Sequence, residues 1–244
     1  MAPWLLALAP PVLDEINICP FPRPQGQMKS LLREENKGRT ALLTKNLAPG
    51  RRVYNEDLVM RDGVEYRTWD PFRSKLAAGI VKGMPEELIR EGDRVLYLGA
   101  STGTTASHVS DLVGPGGLVI GVEFSPRVAR EFVENVARER KNVIPFVADA
   151  RNPSKYSFTQ VDVVYCDIAQ PDQTEIAIAN CDRLLKKGGR LLLAVKARSI
   201  DVLKEPERVY EEERAKLEKA GFTILQVVDL RPFEKDHALI SASR

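Results

Sequence analysis

The chain has 244 residues, 43% of them hydrophobic, with 36 lysines and arginines against 34 aspartates and glutamates for a net charge of +2. That length supports one sizeable core, or one core and a small appended domain. The charge balance does not mark a stand-alone nucleic-acid binder, and three cysteines without metal spacing argue against a disulfide framework or a zinc site.

The chain opens on "MAPWLLALAPPVL", apolar but broken by Pro10 and Pro11 and without a basic leading region. A spanning helix needs about 20 apolar residues, so the expectation is a soluble, cytoplasmic protein with no membrane partner and a loosely ordered or docking start. From Phe21 to Arg52 there are eight cations and two anions, ordinarily a solvated basic face. Up to about Trp69 short apolar runs are broken by "APG", "NED" and "RDG", which reads as β structure. Asp62-Gly63, between "DLVM" and "VEYRTW", is a hairpin signal. Residues 1–70 are therefore expected to form a small N-terminal antiparallel β domain with an uncertain leading segment, and residues 71–244 a second domain.

At "WDPFRSKLAAGIVKGM" the period changes. Pro71 suits a helix start, and Phe72, Leu76 and Ile80 recur at helical spacing. Strands and helices then alternate. "RVLYLG" is a strand and Thr104–Leu112 a helix; "GGLVIGVE" is a strand and Pro126–Arg140 a helix. "NVIPFVAD" and "VDVVYCD" are strands, and Thr174–Leu185 is a helix ended by "KKGG". "RLLLAVK" is a strand, Glu205–Ala220 a helix, and "FTILQVVDL" and "HALISAS" are strands. This pattern predicts an α/β fold, a largely parallel Rossmann-like sheet with helices on both faces.

In such sheets ligands bind outside the carboxyl ends of the strands. There "GASTG", Gly99–Gly103, follows the first strand, and its small residues permit close backbone approach. The spacing is not the G-x-G-x-x-G of a dinucleotide site, and a GxxxG alone is weak evidence. Three acids close neighbouring strands: Glu123, placed to bond ribose hydroxyls, then Asp149 and Asp167. Strand-end loops are often acidic, but three in succession favour an adenosine-type site. No triphosphate loop is present, and Gly99–Thr105 holds no cation to meet a pyrophosphate. The ligand expected is S-adenosylmethionine, with Phe124 either stacking on its adenine or serving as a core aromatic. His108 and His237 lack HExxH spacing, so no metal is expected.

The stretches "LTKNLAPGRRVYNE", "YRTWDPFRSKLAAGI", "YLGASTGTTASHVSD", "GVEFSPR", "VYCDIAQPDQ", "KKGGRLLLAVKARSID" and "RPFEKDHALI" occur in this order from Leu43 to Ile240. Together they resemble fibrillarin in its archaeal form. Only the start of the chain departs from the family's pattern.

The resemblance implies a methyl transferase acting from S-adenosylmethionine on ribose 2′-hydroxyls of rRNA and tRNA, within a box C/D guide-RNA particle. The partners it implies are the guide RNA, the target RNA, a Nop-domain scaffold protein and a kink-turn-binding ribosomal-type protein. It implies cofactor contacts at Thr104, Thr105, Glu123, Phe124, Asp149, Ala150, Asp167, Ile168, Ala169 and Gln170. It implies a catalytic set of Lys75, Asp167, Lys196 and His237. Asp167 and Lys196 each close a strand at one sheet edge, and Lys196 is the expected base or hydroxyl-polarising group. Lys75 nearby would lower its pKa and Asp167 raise it. Alternatives are a methyltransferase with a small-molecule or protein acceptor, a dehydrogenase disfavoured by the glycine spacing, and a scaffold without catalysis, against which the intact Lys75, Asp167 and Lys196 set speaks.

Overall fold

The computed structural model describes residues 29–36 and 39–244. The apolar start, Cys19 and the first part of the basic stretch lie outside the described residues. Four antiparallel strands come first: β1 (Leu31–Asn36), β2 (Arg39–Lys45), β3 (Leu58–Arg61) and β4 (Val64–Trp69), in the order β1-β2-β4-β3. Between β3 and β4, Asp62 and Gly63 both have positive φ, 48° and 77°. A two-residue hairpin turn of this kind matches the twist of its strands, which is why Asp-Gly marks it.

The second sheet has seven strands: β5 (Arg94–Leu98), β6 (Leu118–Glu123), β7 (Val143–Val147), β8 (Val161–Cys166), β9 (Leu185–Lys196), β10 (Thr223–Asp229) and β11 (His237–Ser243). Their order is β10-β11-β9-β8-β5-β6-β7. Strands β5 to β9 pair in parallel, and β11 runs antiparallel between β9 and β10. Alternate residues of β5 serve two cores. Val95 and Tyr97 enter one, Leu96 and Leu98 the other, so the central strands must be apolar throughout. The helices are α1 (Lys75–Val81), α2 (Thr104–Val113), α3 (Pro126–Phe132), α4 (Gln173–Leu184), the one-turn α5 (Ala197–Ile200) and α6 (Pro206–Lys219). The chain leaves β5 for β6 on one side and later returns to β8 on the other. The loops after β5 and β8 therefore diverge and leave a crevice, as at any such switch in strand order.

Three expected boundaries move. Pro71 does not start α1. Asp70 accepts the Phe72 N–H through Oδ1 at 2.8 Å and the Arg73 N–H through its carbonyl at 3.1 Å, making a separate turn. Ser74 then caps the helix, its side chain accepting from the Ala77 N–H. The helix from Pro126 is α only to Phe132 and continues as a π turn, Val133–Ala137. The "KKGG" stretch does not cap α4; it already belongs to β9, with Leu185 extended at the helix end.

The two sheets are joined through a buried polar cluster at α2. Asp111 accepts from Arg67 and from the Thr44 hydroxyl on Oδ2, at 2.8 and 2.9 Å, and from Arg140 and the Leu47 N–H on Oδ1, at 3.0 and 3.1 Å. Arg67 also reaches Glu56 and Ser107. His108 stacks on Trp69 with ring centroids 5.0 Å apart. It is kept neutral because burial, then the charges of Arg67 and Arg140, pull its pKa well below the usual value. Its Nδ1 meets the Thr44 hydroxyl at 2.7 Å and its Nε2 the Tyr54 hydroxyl at 2.6 Å, while Thr44 donates to Asp111 and Tyr54 to the Thr68 carbonyl. Both Asp111 oxygens are filled, while Arg140 Nε and the Trp69 indole Nε1 are buried without a hydrogen-bond partner among the described residues.

Candidate active site

At the crevice a cavity of about 380 Å³ is lined by Gly99, Ser101, Glu123, Phe124, Asp149, Ala150, Arg151, Asp167, Ile168, Ala169, Gln170 and Lys196, among others. The three strand-end acids thus share one cleft. Gly99 has φ of 83°, and a Cβ there would come within 2.8 Å of the Asp167 carbonyl oxygen and 3.0 Å of Ile168 Cγ2. Its smallness therefore lets the ends of β5 and β8 lie close where their loops begin to diverge; the space beside it belongs to Asp167 and Ile168, not to a ligand.

Glu123 is held by backbone. Its Oε2 accepts from the Ser101 N–H at 3.0 Å and its Oε1 from the Ser125 N–H at 2.9 Å. Each carboxylate oxygen keeps a further lone pair for a ligand hydroxyl. Phe124 is 71% exposed, so it is no core aromatic and its ring is free to stack. Arg151 closes the far rim, bonding Asp172 at 2.7 and 2.9 Å and Gln170 Oε1 at 3.1 Å.

Of the residues the family pattern marks for the cofactor, Glu123, Phe124, Asp149, Ala150, Asp167, Ile168, Ala169 and Gln170 line the cavity. Thr104 and Thr105 do not. Thr105 is buried, and its hydroxyl donates to Ser74 Oγ at 3.0 Å, tying the start of α2 to the cap of α1. The Thr105 hydroxyl proton is thus used within the protein.

The four expected catalytic residues converge. Lys196 Nζ lies 2.8 Å from Asp167 Oδ1 and donates to the Asp167 carbonyl at 3.0 Å. Lys75 Nζ lies 3.4 Å from the same Oδ1 and 3.7 Å from Glu234 Oε1. Asp167 Oδ1 is buried, and although both ammonium groups are near it, no hydrogen bond of good geometry satisfies it. His237 is the cross-strand partner of Lys196. Its Nδ1 donates to the Lys235 carbonyl at 2.6 Å, with Glu234 Oε2 at 3.6 Å. Burial first, then the charges of Lys75 and Lys196, lower its pKa against the opposing pull of the Lys235 carbonyl and Glu234. Near neutrality its Nε2 is an acceptor.

Glu234 and Arg151 belong to the site and went unread in the sequence. Both lie in loops, where no period separates a functional side chain from a solvated one.

The fit to S-adenosylmethionine rests on this donor and acceptor set: a pinned carboxylate for ribose hydroxyls, an exposed ring for adenine, and a buried acceptor at Asp167. The fibrillarin family model matches residues 23–244. The fibrillarin-like rRNA/tRNA 2′-O-methyltransferase of Sulfurisphaera tokodaii is 54% identical over 211 residues, covering 86% of this chain and 90% of the relative. The crystal structure of Aeropyrum pernix fibrillarin with natively bound S-adenosyl-L-methionine is 47% identical, covers 89% of this chain and 95% of that one, and superposes with a TM-score of 0.80. A fibrillarin/Nop5p complex contains a chain 41% identical, with coverage of 89% and 99% and a TM-score of 0.78.

Proposed function

The chain belongs to the fibrillarin family, and on that premise we propose that it methylates ribose 2′-hydroxyls of rRNA and tRNA as the catalytic subunit of a box C/D guide-RNA particle. It is an enzyme, an RNA methyltransferase using S-adenosylmethionine. The observation that carries the reading is Asp167, set between Lys75 and Lys196 at the edge of the cavity.

Glu123 and Asp149 would hold the cofactor's ribose and adenine ends, with Phe124 against the ring and Ile168–Gln170 closing the cleft. Bound there, the cofactor supplies an activated methyl group on a sulfonium leaving group. The chain's own work is alignment and one proton. Asp167 fixes Lys196 through a hydrogen bond to its main-chain carbonyl and the charge of its nearby carboxylate, and orients the incoming hydroxyl. Lys196 takes the 2′-hydroxyl proton as a neutral amine or polarises the hydroxyl as an ammonium, a role worth about 10²–10⁴-fold in rate. Lys75 balances the Asp167 charge, and neutral His237 supports the acceptor ribose.

Target choice comes from elsewhere. The net charge is only +2 and aromatics are 7% of the chain, with no RNA-reading module evident. The proposed sources are the guide RNA, a Nop-domain scaffold that docks this subunit, and a kink-turn-binding protein. Reconstitution with components omitted one at a time tests this. Site-specific methylation should require scaffold and guide, and should move when the guide sequence changes. Efficient site-specific methylation of naked RNA by the lone chain would overturn it.

A further inference from the structure

The contacts of Asp167 divide its surroundings into two sides. On one lies the cavity, with Glu123, Asp149 and Gln170. On the other lie Lys75, Glu234 and His237, none of which lines that cavity. If the cofactor takes the first side, the acceptor ribose must come from the second.

Phe72 stands on that second side. It is 61% exposed and three residues before Lys75. Its ring meets Phe233 edge to face, centroids 5.1 Å apart and planes at 71°, and Phe233 packs on the core beside Glu234. Phe72 therefore has one supported edge and an open face. The backbone beneath it is fixed by the Asp70 turn and the Ser74 cap. An isolated exposed phenylalanine needs no explanation by itself. Its neighbour changes that. Arg73 is exposed, lies over the Tyr54 ring at 5.0 Å, and has no carboxylate in ion-pair range among the described residues. Arg52, Arg90, Arg127, Arg130 and Arg138 are exposed without an ion pair among the described residues as well; what distinguishes Arg73 is its place between the open Phe72 ring and Lys75 at the catalytic cluster.

We propose that Phe72 and Arg73 form a subsite for one nucleotide of the acceptor RNA, the Phe72 ring stacking on its base and the Arg73 guanidinium pairing with its phosphate. The proposal rests on the ribose-methylation reading above. Unpaired bases are recognised by stacking on aromatic faces, and guanidinium groups match phosphate oxygens in a planar fork. An apolar protein partner fits less well, because the two rings are flanked by the cations Arg73 and Lys75 rather than by further apolar surface.

The test uses the assembled particle and single-site variants, with target-RNA KM, kcat and cofactor affinity measured together. Phe72→Ala should lower kcat/KM for target RNA by about 5- to 150-fold, the usual range for losing one base stack, with cofactor affinity unchanged. Phe72→Trp should restore it to within about twofold, and Phe72→Leu should not. Arg73→Ala should weaken RNA binding and flatten its salt dependence. A 2-aminopurine base near the target nucleotide should lose its Phe72-dependent quenching in Phe72→Ala. Wild-type efficiency in Phe72→Leu would show apolar docking of a protein instead and overturn the stacking. Wild-type efficiency in Phe72→Ala, in a particle that methylates normally, would overturn the subsite alone. A wild-type particle that methylates no RNA would overturn the underlying reading.

Discussion

Asp111 and Asp167 each meet two basic side chains. Arg67 and Arg140 lie 2.8 and 3.0 Å from the first, Lys196 and Lys75 lie 2.8 and 3.4 Å from the second. The difference is in what else each carboxylate touches. Both oxygens of Asp111 are filled by two donors each, and the group is buried between the two sheets. Asp167 sits at a cleft rim with Oδ1 buried and unsatisfied. The partners differ in kind as well. Planar guanidinium groups lock a carboxylate in one geometry, whereas lysine ammonium groups are point charges on flexible stems that can reorient or lose a proton. The Asp111 carboxylate is finished and ties the two sheets together; the Asp167 carboxylate is unfinished and leaves an acceptor for chemistry.

The largest effect should come from the unfinished cluster. Lys196→Ala is expected to slow single-turnover methyl transfer by about 10²–10⁴-fold while cofactor affinity and folding hold. Rates within a few-fold of wild type would remove Lys196 from proton handling. His237→Ala should be milder, and a deeper loss there than at Lys196 would reverse their roles. The finished cluster should answer in stability. Asp111→Ala leaves buried Arg140 without a carboxylate and Arg67 with Glu56 alone, and breaking a buried pair costs about 3–5 kcal/mol. Urea melts should show a lower midpoint, and an unchanged midpoint would mean that the sheets are joined by other contacts.

Between these lies Glu123→Ala. A hydrogen bond to a charged group is worth about 1.5–3 kcal/mol, so calorimetry should show weaker S-adenosylmethionine binding with little change in the finished cluster. Unaltered affinity would remove Glu123 from the cofactor site. The smallest effect is in pH. His108 has a folded pKa below its unfolded value near 6.5, so the unfolded chain binds more protons in that window. Its contribution is complete above about pH 6.5 and declines as pH falls below it. Melting temperature should drop over that range, and His108→Asn should flatten the drop. A drop of the same size in the variant would place it on other groups.

Both clusters were unequally visible in the sequence. Asp167 and Lys196 could be placed at one edge because apolar runs show where strands end, and parallel strands end on the same side. His237 joins them by register opposite Lys196, which the separate reading of each strand does not give. Arg67, Thr44 and Asp111 gave no sign of meeting, since their pairing joins positions more than 40 apart through a buried interface. Pro71 looked like a helix start because the rule is local, whereas Asp70 and Ser74 decided the turn through their own side-chain bonds.

The α/β alternation, the Asp62-Gly63 hairpin, the cleft acids and the family were legible along the chain, because period, turn chemistry and strand-end residues are local properties. It took the folded arrangement to show that the Thr105 hydroxyl donates to Ser74, that Gly99 yields its space to Asp167 and Ile168, and that Glu234 stands beside Lys75. The physical reason is reach. A hydrogen bond or ion pair acts over a few ångströms, and which distant residues come within it is set by sheet order and helix packing, not by spacing along the chain.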